Sequence, residues 1–217
     1  MIDLHTHTLF SDGELLPSEL VRRAEYIGYY AIALTDHADI SNLDFIIPRI
    51  IEACAKINEK KGIIALPGIE ITHVHPDDIT ELARMARSMG ARIIVVHGET
   101  IAEPVMPGTN KKALESDINI LAHPGLISDE DVKLAARKGI CLEISARKGH
   151  SLSNGHVAQT ALKYGARLIL NTDTHSPGDL LVLEKAKITA QGSGLSGDDF
   201  IKMLDVSRML VKKALGG

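Results

Sequence analysis

Seven short apolar runs rich in β-branched residues recur along the chain, at 2–5, 31–34, 63–66, 92–96, 118–121, 140–144 and 167–170. Their apolar character is continuous rather than alternating, which suits strands buried on both faces. Between them the apolar positions take up a helical period. Strand and helix in alternation predict βα units around a parallel sheet. Pro17 opens the first helix and Gly28 closes it. The second, 44–61, has Phe45, Ile47, Ile50, Ile51, Cys54 and Ile57 as its inward stripe and Gly62 after it. A third, 77–89, stops at Gly90, and Ser128 with Asp129, Glu130 and Asp131 predicts a capped helix ending before Gly139. Another runs over Asn154–Tyr164, before Gly165. The last, 197–215, carries Phe200, Met203, Leu204, Leu210, Val211 and Ala214 on one face and is expected to pack outside the sheet.

No linker or change of composition divides the chain, so its 217 residues predict one α/β domain over 1–217, a seven-unit barrel slightly short of the usual eight. Cys54 and Cys141 are isolated inside apolar runs, the setting of buried thiols and of a reducing compartment. With no leader-like segment and no long apolar run, a cytoplasmic protein away from membranes is expected. A net charge of −4 implies no broad basic surface, so nucleic acid is not expected as a partner. Ten histidines against three phenylalanines and no tryptophan change the picture: the excess points to ligands rather than packing.

Those histidines fall at strand ends. His5 and His7 are two apart in the first run and so share a face, with Ser11, Asp12 and Gly13 forming the turn beyond. The second run ends in Asp36 and His37, the third continues to Glu70, the fourth ends at His97 and the fifth at His123. The sixth carries Glu143 into a loop with Arg147, Lys148 and His150, and the seventh ends in Asp173 and His175. In a closed parallel barrel these ends meet on the face where such folds place active sites. One such histidine is ordinarily a satisfied core residue, but polar ligating groups at all seven ends predict a metal site.

The stretches Asp3-Leu4-His5-Thr6-His7-Thr8, Ser11-Asp12-Gly13, Leu34-Thr35-Asp36-His37, Glu70, His97, Ala122-His123-Pro124-Gly125 and Asp173-Thr174-His175 together resemble the PHP (polymerase and histidinol phosphatase) family, over residues 1 to 180. The resemblance implies a distorted seven-stranded, TIM-like β/α barrel with two or three divalent ions. It implies that His5, His7 and Asp173 hold a first ion, that Glu70 bridges it to a second held by His97 and His123, and that Asp12, His37 and His175 hold a third. Some family members have histidine where this chain has Asp12. Nitrogen and oxygen donors together suit zinc, manganese or iron. Three anionic ligands against up to six cationic charges leave the pocket positive, which favours a small phosphorylated substrate.

The expected reaction is hydrolysis of a phosphate ester by a hydroxide held between the ions, with histidinol phosphate the substrate suggested by the family name. Nucleotide phosphatase and phosphodiesterase activities are the alternatives, and a non-catalytic RNA-binding barrel is a third. An amidohydrolase-type barrel would need an eighth unit and a bridging lysine. Arg147, Lys148 and His150 are expected to grip the substrate phosphate, and Asp36 is either a partner of His37 or a turn residue. His73, His75 and His156 read as surface or capping residues. Residues 98–110 form a loop at the same face, either a cover or a fixed connection.

Overall fold

The computed structural model of the chain describes residues 1–216. Its strands are β1 (Ile2–Asp3), β2 (Ala31–Leu34), β3 (His37–Ala38), β4 (Ile64–Ile71), β5 (Ile93–His97), β6 (Ile120–Ala122), β7 (Cys141–Ser145) and β8 (Arg167–Asn171). All pair in parallel, in the order β1-β2-β4-β5-β6-β7-β8, with β3 beside β4. Each of the seven apolar runs contributes a strand, and the result is a nearly closed TIM-like barrel. The eighth strand continues an existing one. Leu34 lies opposite Pro67 and His37 opposite Glu70, the same register on either side of a two-residue break. The backbone stays in step across the break, with the Glu70 N–H donating to the Asp36 carbonyl oxygen at 3.0 Å. A Cβ on Gly68 would lie 2.5 Å from the Ile93 carbonyl oxygen, so glycine here lets β5 come close.

The described residues form eight helices, six between strands and two after β8: α1 (Pro17–Tyr26), α2 (Leu43–Asn58), α3 (Ile79–Ser88), α4 (Thr109–Glu115), α5 (Asp129–Lys138), α6 (Asn154–Tyr164), α7 (Leu183–Gly192) and α8 (Gly197–Ala214). The sequence pattern points to six of them. α4 spans only seven residues, and α7 occupies a stretch with little amphipathic contrast. On α2, Phe45 departs from the expected inward stripe: it is half exposed, with Arg49 stacked over its ring at 3.7 Å.

Alternation along the strands sorts their side chains into two layers. Ile32, Leu34, Ile94, Val96, Leu121, Leu142, Ile144 and Leu168 pack outward against the helices. Ala31, Ala33, Leu66, Ile93, Val95, Ile120, Cys141 and Ile169 fill the interior. Leu210, Val211 and Ala214 of α8 join that inner cluster, whereas Phe200 and Met203 join the outer one. α8 therefore covers the outside with its first half and the barrel floor with its second.

The seam between β1 and β8 is closed by side chains. The Leu4 N–H donates to Asn171 Oδ1 at 2.9 Å, the Thr172 N–H and hydroxyl donate to buried Asp3, and a single bridge joins Thr6 to Thr174. Burial pushes the Asp3 carboxyl up to about 6, against the pull of those hydrogen bonds. Among the described residues no helix is long and apolar enough to cross a membrane.

Candidate metal centre

Glu70, near the end of β4, sits in the middle of the site. One carboxylate oxygen lies 3.2 Å from His5 Nε2 and 3.6 Å from His123 Nε2; the other lies 2.8 Å from His37 Nδ1 and 3.6 Å from His7 Nε2. Asp173 faces the same rings, at 3.2 Å from His7 Nε2 and 3.7 Å from both His5 Nε2 and His123 Nε2. Towards solvent, Asp12 Oδ1 stands 3.2 Å from His175 Nε2 and 3.5 Å from His37 Nε2. His97 and His123 have ring centroids 4.4 Å apart, and His150 stacks on His123 at 4.0 Å. The nine residues expected as ligands thus share one pocket.

Local backbone makes this convergence. His123 and Asp173 adopt positive φ angles of 26° and 54°, conformations that cost about 1–3 kcal/mol each and cluster at functional sites. The turn carrying Asp12 folds back on the first strand so tightly that a Cβ on Gly13 would lie 2.5 Å from the His7 carbonyl oxygen. Asp36 secures that turn. Its carboxylate accepts the Thr8 N–H at 2.7 Å, the Thr8 hydroxyl at 2.9 Å and the Ser11 hydroxyl at 2.9 Å.

Burial acts on these groups in opposite ways. It drives His7 and His123 well below the ordinary imidazole range, leaving both neutral and able to ligate. It opposes charge on His5 too, but the carboxylates of Glu70, Glu143 and Asp173 raise that ring well above it. His37, likewise resisted by burial, is pushed up to about 10 by Glu70 and Asp12, and burial raises Asp173 to about 7. Protons collect where cations are wanted.

Among the described residues five buried side-chain atoms have no hydrogen-bond partner: His5 Nε2, His7 Nδ1, His7 Nε2, Glu70 Oε1 and His123 Nδ1. Leaving such atoms bare costs about 1–3 kcal/mol each, and several are lone pairs facing one another. Among the described residues five groups have ligating atoms close enough to share an ion: His5–His7–Glu70, His5–His123–Asp173, His7–Asp12–His37–His175, His97–His123–His150 and His73–His97–Glu103. Imidazole and carboxylate donors fit divalent zinc, manganese or iron.

The flanking residues divide. Arg147, half buried, donates from Nη1 to the Asp173 carbonyl oxygen at 3.3 Å and reaches within 3.8 Å of its carboxylate with Nε. Lys148 is exposed. His150 is buried beside His97 and His123, with Nδ1 2.8 Å from the Thr100 hydroxyl. Residues 98–110 are tied down: Glu99 Oε1 accepts the N–H groups of Gly108 and Asn110, and Asn110 Nδ2 donates to the Pro124 carbonyl at 2.9 Å.

Three contributors were given no role in the site by the sequence, although Glu143 stands among its strand-end acids. Glu143 accepts from His5 Nδ1 at 2.9 Å and Asn171 Nδ2 at 2.8 Å; a carboxylate inside an apolar strand was its signal. Glu103 approaches His73, His97 and His150 from the 98–110 loop, and nothing in its sequence context marks it. His73, read from sequence as a surface or capping residue, turns towards that group. His75 caps the helical turn at Pro76–Asp78, accepting the Asp77 N–H, and His156 contacts the Ile127 carbonyl oxygen.

The PHP domain model matches residues 3–175. An uncharacterized protein of Methanocaldococcus jannaschii is 46% identical over 201 residues, 91% of each chain. Ribonuclease P protein component 3 of Methanosarcina barkeri is 25% identical over 211 residues, 90% of this chain and 82% of that one. Among solved structures, a chain of archaeal ribonuclease P with mature tRNA aligns at a TM-score of 0.75 with 14% identity, covering 99% of this chain and 91% of its own. Histidinol phosphate phosphatase from Lactococcus lactis, complexed with zinc, histidinol and phosphate, aligns at 0.64 with 19% identity, covering 90% and 94%. The ribonuclease P relative corrects one expectation. Nucleic acid had been set aside on a net charge of −4, but net charge averages away local patches and cannot exclude such a partner.

Proposed function

The chain belongs to the PHP domain family, and from that premise we propose that it is a metal-dependent phosphoester hydrolase. The observation that carries this reading is the set of buried, partnerless donor atoms on His5, His7, Glu70 and His123. A barrel that only served as a scaffold would have no need to keep them. His5, His7, Asp173 and Glu70 would hold one ion, Glu70, His97 and His123 a second, and Asp12, His37 and His175 a third. Divalent ions bound there supply a lowered pKa for water and a clamp for phosphate oxygens.

The chain's own residues do the remaining work. Glu143 accepts a hydrogen bond from His5 Nδ1–H, so in the neutral ring the opposite nitrogen presents its lone pair to the pocket. Asp36 fixes the turn from which Asp12 reaches His37 and His175. Arg147 stands at the mouth with a guanidinium that can take up a phosphate oxygen, its charge already balanced by Asp173. Lys148 and His150 flank the same opening and extend the grip on the substrate anion.

The test is phosphate release with zinc or manganese supplied, across histidinol phosphate, nucleotides, sugar phosphates and a short RNA, with H123A as the blank. Turnover of one class, lost in the variant, supports the reading and names the substrate. The ribonuclease P relative favours a second reading, an RNA-binding component. Metal-replete protein that binds RNA in a gel-shift titration yet releases no phosphate from any substrate would select it.

A further inference from the structure

We propose that the metal centre serves a phosphate monoester of an aliphatic alcohol, whose hydrocarbon chain lies on an apolar wall formed by Ile101, Leu126 and Leu152. The proposal rests on the hydrolytic reading and adds the substrate class to it. Each of the three residues follows a histidine of the pocket by two to four positions: Ile101 after His97, Leu126 after His123 and Leu152 after His150. Each is more than half exposed, at 53%, 69% and 75% respectively. Apolar residues scattered singly over a surface need no explanation, but a group carried by interlocked loops beside one pocket does.

The interlocking is direct. The Thr100 hydroxyl lies 2.8 Å from His150 Nδ1, and a Cβ on Gly149 would stand in contact with Ala102 Cβ at 3.4 Å. Gly125 takes a left-handed φ of 63° and lies so close to the Glu99 carbonyl that any side chain there would collide with it. His156 Nε2, at 2.8 Å from the Ile127 carbonyl oxygen, ties the loop after β6 to α6. The loops after β5, β6 and β7 therefore form one fixed surface beside His97, His123 and His150.

What covers that surface follows from where the phosphoryl group sits. With its oxygens at the ions, everything else in the ester has to leave through the mouth and meet these loops. Residues 98–110, 124–128 and 146–153 include no Phe, Tyr or Trp. Nucleobases are held by stacking on aromatic faces, so a wall of branched aliphatic side chains suits a hydrocarbon chain better than a base. A sugar or glycerol would gain little from it, because hydroxyl groups bring hydration rather than apolar area.

Isothermal titration calorimetry of the zinc-loaded full chain with n-alkylphosphonates, from ethyl to octyl, tests the wall. Their carbon–phosphorus bond survives a phosphoester hydrolase, so binding is read separately from turnover. Full burial of a methylene is worth about fourfold in affinity, and a one-sided wall buries about half of each. Affinity should therefore rise about twofold per methylene and about 60-fold over the series. The triple variant I101S/L126S/L152S, altered only at exposed positions, should lose that slope while binding ethylphosphonate as wild type does. Equal affinity for ethyl- and octylphosphonate, or a slope unchanged in the variant, would overturn the wall and leave the phosphate-binding metal centre standing. If no phosphonate binds the metal-loaded protein, the hydrolytic reading and the wall fall together.

Discussion

Glu143 has no water to meet and yet keeps a carboxylate in the barrel interior, because three groups need it: His5, Asn171 and the backbone N–H of His123. Removing its charge while keeping its shape should therefore weaken ion binding more than stability. In E143Q, chelator competition is expected to report metal affinity about 10–100-fold lower. G13A belongs to the same scale, since its methyl would collide with the His7 carbonyl. It should swing Asp12 away and release the ion shared with His37 and His175 first, read as one weakened class in a zinc titration. Individual residues were legible in proportion to their chemical oddity. Buried histidines and acids at strand ends announced themselves, whereas Glu103, an exposed glutamate before a proline, looks like any solvated loop residue until folding sets it against three imidazoles.

At the scale of elements, α5 shows how local signals suffice. Ser128 Oγ accepts the Asp131 N–H at 3.1 Å and Gly139 closes the helix in a left-handed conformation. S128A should cost about 0.5–2 kcal/mol, measured as a shift in the urea midpoint. α8 shows where such signals stop. Its apolar face is readable, but that Leu210 and Val211 plug the barrel floor while Phe200 lies on the outer layer follows from tertiary placement alone. L210A should open a cavity among Leu210's neighbours in the inner cluster and cost about 2–5 kcal/mol in equilibrium unfolding. β3 was hidden because two residues make no pattern; only the shared register opposite Pro67 and Glu70 exposes it as the resumption of β2.

For the whole molecule, closure and ion binding are one problem. The inner cluster alone does not discharge the opposing charges and bare lone pairs above it, so ions should stabilise the fold appreciably. Each site held at a hundred times its dissociation constant adds about 2.7 kcal/mol, and exhaustive chelation is expected to lower the calorimetric melting temperature, with zinc restoring it. The seven-run rhythm made the architecture legible because strands buried on both faces need unbroken apolar residues. The number of ions was not legible, because it depends on which lone pairs face each other across the pocket. The side-chain seam has a further consequence for how the protein matures. His5 and Asp173 face each other from opposite ends of the family motif. A nascent chain that has emerged only as far as β7 holds Glu70, His97 and His123 but not Asp173 or His175. Completing the sites that need Asp173 or His175 would therefore follow synthesis of β8, and the ions filling them would be set by the pool the finished chain meets, not by the order in which its ligands leave the ribosome.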